Sequence, residues 1–422
     1  MSPIPAATAQ VTYEDLYARW ERGAWSATEI DLERDRYDWR ERMSPEQRDA
    51  AAWMFTLFLH GENAVAVDLA PFITAAPLEA QQYFLATQQA DEARHAVFFS
   101  RFLSEVVGTP GDSVTDVLAA TEPELSWGHR QVFGRLERLS RELPGSAVST
   151  ETFAGAVTLY HLLIEAALAE PAQVVLAAAL ERLDVLPGFR EGIDRISHDE
   201  HRHIAFGVRI LADMLAEQRE EATRAITAMY REVIPWLNAV AMPPAGDPSY
   251  TESLGFTLED LFATSAQSQE GRFRATGLAE DHINRFMFPL DVTPRERAQQ
   301  GLVLLRAGVI GPPEEPVVPD PEAVSIVFDL MRRSARPDGL PDGTVIQWEF
   351  ADAGPWTIRF EGGEAVAEQG SSPRPDLTLR TTFPDWIALG SGEANPLALL
   401  ARRRLRLRGS RRLFLRMGTL FG

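Results

Sequence analysis

The sequence predicts an all-α bundle of about 300 residues followed by a small α+β domain. Three observations carry this. Helix-capping signals bound long segments of apolar periodicity between residues 44 and 307, two of these segments contain the string Asp-Glu-x-x-His, and beyond a proline-rich stretch the pattern changes to short β-rich runs separated by turn residues. The expected division is residues 1–308 for the helical domain, 309–320 for a linker and 321–422 for the α+β domain.

Ser44-Pro45-Glu46-Gln47 reads as an N-cap, a first-turn proline and a capping-box partner, opening a helix that carries Glu62. Pro77 opens the next helix, which runs through Glu92 and His95 to the break at Gly108-Thr109-Pro110-Gly111. A looser helical stretch follows, interrupted near Pro123. Ser149 to Leu183 is so apolar that it reads as a central helix, hydrophobic nearly all round, bent by Pro171. After Leu186-Pro187-Gly188 comes the helix of Glu200 and His203; further helices are expected over 219–240, 258–285 and 294–307, the last capped by Thr293-Pro294-Arg295-Glu296.

The stretch from Gly311 to Pro321 holds five prolines and reads as a semi-rigid linker. Beyond it, Val345 to Phe350, Trp356 to Glu361 and Asp376 to Arg380 read as strands, with helical patterns at Glu322 to Ala335 and Pro384 to Leu389. Eight arginines between Arg402 and Arg416 alternate with Leu and Phe. They read as the charged face of a terminal strand and helix in preference to an anion or phospholipid site.

Composition narrows the chemistry. The chain of 422 residues has no cysteine, which excludes disulfides, iron–sulfur clusters and thiolate zinc sites. Every basic residue other than histidine is Arg, so Schiff-base chemistry on a lysine is excluded. A net charge of −20 argues against nucleic acid and anionic membranes as main partners. No charge-free apolar run is long enough to span a bilayer, and Met1 to Val11 lacks a basic region followed by an apolar one, so a cytoplasmic location without a transmembrane segment is expected.

The strings Asp91-Glu92-Ala93-Arg94-His95 and Asp199-Glu200-His201-Arg202-His203 carry the functional signal. Three residues on a helix turn through about 300° and rise about 4.5 Å, so each Glu and its His point the same way and can grip one metal ion. Glu62 and Glu165 lie 30 and 35 residues upstream of Glu92 and Glu200, a distance that one helix–turn–helix spans and returns. Each is the only charged residue in a long apolar run, and a buried carboxylate demands a compensating charge. Glu62, Glu92, His95, Glu165, Glu200 and His203 are therefore the expected ligands of two metal ions. Hard oxygen and borderline nitrogen donors suit iron or manganese, and four carboxylates balance two divalent ions. His161, one turn before Glu165, completes no ligand set and is read as a buried polar residue next to the ligands.

These residues resemble the ferritin-like dimetal carboxylate superfamily. Within it they are similar to the ribonucleotide reductase small subunits, their ligand-binding oxidase relatives and the bacterial multicomponent monooxygenases. The resemblance covers roughly residues 40 to 290. It implies a four-helix core, Fe/Fe or Mn/Fe, activation of dioxygen, electrons from an external donor, and a homodimer. It also implies that Asp91 and Asp199 orient the metal-bound imidazoles; solvent-facing acids are the alternative. Radical-generating small subunits commonly have Tyr four residues after the first metal His, where this chain has Phe99. The ligand-binding oxidases carry a Tyr five residues before the third metal Glu, matched by Tyr160, crosslinked to a Val where this chain has Ala64. Tyr160 is thus either a redox or substrate-facing group or a hydrogen-bonded core residue, and Phe99 and Ala64 are expected at the pocket.

The C-terminal segment resembles the sterol carrier protein type two family, on its opening helix, the strands Thr344 to Phe350 and Trp356 to Phe360, Pro375-Asp376-Leu377-Thr378-Leu379, and Leu405-Arg406-Leu407-Arg408-Gly409-Ser410. That resemblance implies a lipid-binding or a structural module. The expected function is a dioxygen-activating dimetal oxidase or monooxygenase acting on a hydrophobic, lipid-like molecule. The alternatives are a ribonucleotide reductase-like radical generator and a lipid-binding protein whose metal site is structural or ferroxidase only.

Overall fold

The computed structural model describes residues 11–143, 148–284 and 289–421. The chain forms two compact units, Met1–Ile283 with Val292–Ala298, and Asn284–Asp291 with Gln299–Gly422.

The first unit is helical. It comprises α1 (Tyr13–Arg22), α2 (Glu33–Tyr37), α3 (Pro45–Asp68), α4 (Ala70–Ala75), α5 (Glu79–Phe102), α6 (Val114–Thr121), α7 (Trp127–Glu142), α8 (Thr150–Val157), α9 (Glu170–Leu183), α10 (Pro187–Glu217), α11 (Arg219–Val240), α12 (Ser249–Ser253), α13 (Leu258–Ala275) and α14 (Glu280–His282). The capping box expected at Ser44 is present, with Gln47 bonding back to the Ser44 backbone. Helices α3 and α5 pack along each other, and α10 packs against α5 and against the segment between α8 and α9.

That segment, Thr158–Ala169, winds as a π-helix in which the Glu170 N–H bonds the Glu165 carbonyl five residues back. The single α-helix expected from Ser149 to Leu183 is therefore three consecutive windings. Pro171, in the first turn of α9, offers no N–H to Ala167, which interrupts α-helical pairing where the wide winding ends. Thr150–Leu183 is long and apolar enough to cross a membrane by length and composition; more than half of its most apolar window is buried within the unit.

The helical unit departs from the sequence reading at helix ends and in added helices. Helix α13 ends at Ala275 instead of 285, because Gly277 adopts a φ of +79°, which a right-handed helix cannot continue; residue 285 itself lies outside the described residues. Helices α1 and α2 precede the first helix that the sequence suggested.

Helix α15 (Pro294–Arg306) leads into the second unit, which contains α16 (Pro321–Ser334), α17 (Phe383–Gly390), α18 (Pro396–Ala401), α19 (Arg411–Leu415) and α20 (Met417–Leu420). Its sheet has the order β3-β2-β1-β4-β5, formed by β1 (Thr344–Phe350), β2 (Gly354–Glu361), β3 (Glu364–Gln369), β4 (Leu377–Thr381) and β5 (Arg406–Gly409). Strands β1 and β4 are parallel and the other neighbours antiparallel. Alternate residues Ile346, Trp348 and Phe350 face a core in which Phe328 of α16 stacks on Trp356 with centroids 4.6 Å apart. Arg402, Arg403, Arg406, Arg408, Arg411 and Arg412 are exposed.

Candidate dimetal centre

Four side chains on three helices converge. Oxygen or nitrogen atoms of Glu62 (α3), Glu92 and His95 (α5) and Glu200 (α10) all lie within 4.8 Å of one another, and the same holds for Glu92, Glu165 (π segment) and His203 (α10). All six residues are buried. Glu92 belongs to both groups, with Oε2 3.5 Å from His95 Nδ1 and Oε1 3.1 Å from His203 Nδ1. Glu200 also lies between the rings, 3.7 Å from each Nδ1. Glu62 and Glu165 sit on the outer sides, 3.3 and 3.4 Å from His95 Nδ1 and His203 Nδ1. Glu92 and Glu200 thus lie between the two imidazoles with one further acid beside each ring, and these six side chains could hold two metal ions.

The donor set fits such a pair. Glu165 Oε2, Glu200 Oε2 and His203 Nδ1 are buried with no hydrogen-bonded partner among the described residues, which is costly unless a cation completes them. Burial pushes the carboxyls of Glu62, Glu165 and Glu200 upward. Burial also opposes ionisation of Glu92, but the His203 and His95 imidazoles outweigh it and hold that carboxyl well below its usual range. Without metal the cluster must share protons among crowded acids; divalent ions remove that need.

The two halves are cross-linked behind the ligands. His95 Nε2 lies 3.1 Å from Asp199 Oδ2, and His203 Nε2 lies 3.1 Å from Asp91 Oδ2. Each aspartate thus serves the imidazole of the other motif, which directs both Nδ1 lone pairs at the carboxylates. Both aspartates are 1% exposed. Arg94 and Arg202 each donate to both of them. Trp20 Nε1 donates to Asp91 at 2.9 Å, and Trp25 Nε1 to Asp199 at 2.8 Å. The Arg94 guanidinium lies 4.9 Å over the Trp25 ring, closing this side with a belt of charge and indole.

On the other side, Gln88 gathers three groups. Its amide N–H donates to Glu165 Oε1 at 2.8 Å and to the Tyr160 hydroxyl oxygen at 3.0 Å, and its Oε1 lies 3.2 Å from His161 Nε2. The Tyr160 hydroxyl donates to Glu92 Oε1 at 2.7 Å. Burial, followed by Glu165 and Glu92, pushes the phenol upward, so Tyr160 remains a protonated donor. His161 falls in neither possible metal group; burial lowers its pKa to about 3, and it packs over Gly207, where a Cβ would come within 2.1 Å of the His161 Cβ.

A cavity of about 100 Å³ opens on Glu62, Glu92, Glu165 and Glu200 and is otherwise walled mainly by apolar groups, among them Trp53, Phe58, Val65, Phe133, Ile164 and Phe262. Phe99 and Ala64, expected at the pocket, do not line it. Phe99 is fully buried behind Phe58, the rings stacked with centroids 5.2 Å apart. Ala64 lies about 200° around the helix from Glu62, whereas Val65 at about 300° shares its face.

Sequence reasoning gave no role to Arg94, Arg202, Gln88, Trp20 or Trp25. The arginines had a signal, since each stands three residues after its Asp in both strings, and Gln88 stands one turn before Glu92. The tryptophans had none, because only tertiary packing brings the N-terminal segment to the aspartates.

Comparisons with known proteins agree with this architecture. The family model "Ribonucleotide reductase, small chain" matches residues 9–236, and "SCP-2 sterol transfer family" matches residues 341–422. Among solved structures, one point variant of an R2-like ligand-binding oxidase with an aerobically reconstituted Mn/Fe cofactor is 22% identical. It covers 65% of this chain and 93% of its own, with a TM-score of 0.51. A second variant, anaerobically reconstituted with Mn/Fe, is 23% identical, covers 64% and 97%, and has a TM-score of 0.52. At these identities the likeness establishes the fold.

Proposed function

The chain belongs to the ribonucleotide reductase small-chain family, and from that premise we propose that it is a dimetal oxidase that uses dioxygen on a hydrophobic small molecule. The observation that carries this reading is the cavity: an apolar passage meets four of the six ligand side chains. A centre meant only to radicalise a nearby tyrosine needs no such passage. Phe99 occupies the position of that tyrosine and holds no oxidisable hydroxyl.

Glu62, Glu92, His95, Glu165, Glu200 and His203 would hold two metal ions, Fe/Fe or Mn/Fe. Such a pair supplies the redox equivalents and open coordination positions that no side chain here provides. The chain's own groups prepare the site. Asp91 and Asp199 fix both imidazoles by accepting from Nε2–H, and Gln88 holds Glu165 in place. Tyr160 keeps a proton on its hydroxyl oxygen, aimed at Glu92 Oε1, where it can be passed to or taken from the cluster. Trp20, Trp25, Arg94 and Arg202 hold the two aspartates behind the imidazoles, and the substrate would approach the carboxylates from the apolar cavity. Electrons come from an external donor, and the SCP-2-like domain is suited to carrying an apolar substrate.

The test is oxygen consumption by purified protein loaded anaerobically with Fe(II), alone or with Mn(II). Metal-dependent uptake that is lost in Glu92→Ala is expected; absence of any uptake by the loaded wild-type protein rejects the oxidase reading.

A further inference from the structure

The cavity beside the dimetal centre is not uniformly apolar. His129 of α7 lines it, is 3% exposed, and stacks on Phe133 with centroids 4.3 Å apart. Nε2 is buried and has no partner among the described residues. The neutral ring carries one proton, so Nε2 is an acceptor in one tautomer and a donor in the other. Burial, with His60 and Arg130 adding to it, holds the His129 pKa at about 3, so the ring is neutral at physiological pH.

Gln269 of α13 repeats the pattern through an independent chain of bonds. Pro171 denies Ala167 the usual helical donor, and Ser265 Oγ donates to the Ala167 carbonyl at 2.6 Å instead. With its proton committed, Ser265 Oγ accepts from Gln269 Nε2 at 3.1 Å. The remaining Gln269 Oε1 is buried and has no partner among the described residues. Ser265 and Gln269 both line the cavity. The cavity lining thus holds two buried polar atoms without protein partners among the described residues, Gln269 Oε1, which is an acceptor, and His129 Nε2, which is one when the proton sits on Nδ1.

A plain hydrocarbon occupant would bury these polar atoms unpaired, which is unfavourable. We infer that His129 and Gln269 form polar positions that recognise a hydroxyl or amino group on an otherwise apolar substrate. The inference rests on the apolar-substrate reading above and adds the functional group that the substrate carries.

The experiment uses full-length protein loaded with Mn(II) under argon, so that binding is read without turnover. It is titrated calorimetrically with hexadecanoic acid and with positional series of its monohydroxy, monoamino and monomethoxy derivatives. At least one hydroxy or amino acid is expected to bind about fivefold tighter than both the parent and its methoxy counterpart, the gain of one net hydrogen bond. His129→Phe should abolish that preference while leaving the parent acid's affinity equal or higher, and His129→Gln, which retains an acceptor, should recover part of it. If wild-type protein binds parent, hydroxy, amino and methoxy acids alike, the inference is overturned, and this comparison stands even where a variant fails to fold. A preference that survives in both His129→Phe and Gln269→Leu overturns it as well. Binding of none of the acids removes the inference together with the apolar substrate, whereas oxygen uptake with Fe(II) tests the metal chemistry separately.

Discussion

Asp199 accepts from His95 across 104 residues of sequence, from a helix other than the one that carries the imidazole. The reciprocal contact of Asp91 with His203 makes each motif the support of the other. Asp199→Asn replaces an acceptor-only carboxylate with an amide that cannot serve His95, Trp25 and two arginines at once. Metal affinity should fall about 10- to 100-fold, the usual cost of removing such a support. Competition with a chromogenic chelator measures it, and an unchanged affinity would rule out an orienting role.

Glu92 and Glu62 differ in position. Glu92 reaches both imidazoles, whereas Glu62 reaches only His95. Elemental analysis after reconstitution should find Glu92→Ala nearly free of metal and Glu62→Ala retaining roughly half of the wild-type content. Equal losses in the two variants would contradict the bridging position of Glu92.

Gln88 satisfies Glu165, Tyr160 and His161 together. Gln88→Leu should therefore destabilise the metal-free protein by about 2 kcal/mol, and Tyr160→Phe, which removes one donor, by about 1 kcal/mol. Urea denaturation supplies both values, and the reverse order would show that the Gln88 contacts are not maintained in solution.

Gly207 lets α10 approach the π segment. A Cβ there would meet the His161 Cβ at 2.1 Å, while one at Gly134 on α7 meets nothing nearer than the Arg138 guanidinium at 3.6 Å. Gly207→Ala should cost about 1–3 kcal/mol by overpacking, and Gly134→Ala should stabilise by up to about 1 kcal/mol through helix propensity. Thermal unfolding of the two variants side by side distinguishes them.

His129 titrates at about 3 when folded, far below an unfolded histidine near 6.5. A lowered histidine pKa means that the unfolded chain binds the extra proton first. Its stabilising contribution is complete above about pH 6.5 and falls by about 3 kcal/mol by pH 4. The acid limb of wild-type stability between pH 6.5 and 4 should be steeper than that of His129→Phe; parallel limbs would mean that the ring is already protonated in the fold.

The candidate ligands were legible because chelation imposes spacing: an i, i+3 pair is written into consecutive residues, and a lone acid in an apolar run such as Glu165 stands out against its background. The strands of the second unit were legible where turn residues bracket them. Strand β3, Glu-Ala-Val-Ala-Glu-Gln, was not, since an edge strand keeps the charges and small residues that lower β propensity. The π winding was also invisible, because an almost wholly apolar run has no polar face by which its residues per turn could be read. Trp20 and Trp25 act only through contacts that folding creates, so no local pattern in α1 or the loop after it announces them.

Those two indoles have a practical consequence. Each is bonded to a carboxylate that itself holds a candidate ligand imidazole, His203 for Asp91 and His95 for Asp199. Filling of each half is therefore expected to change tryptophan emission, and the change should shrink when Trp20 or Trp25 is replaced singly, so that occupancy is read without an added dye.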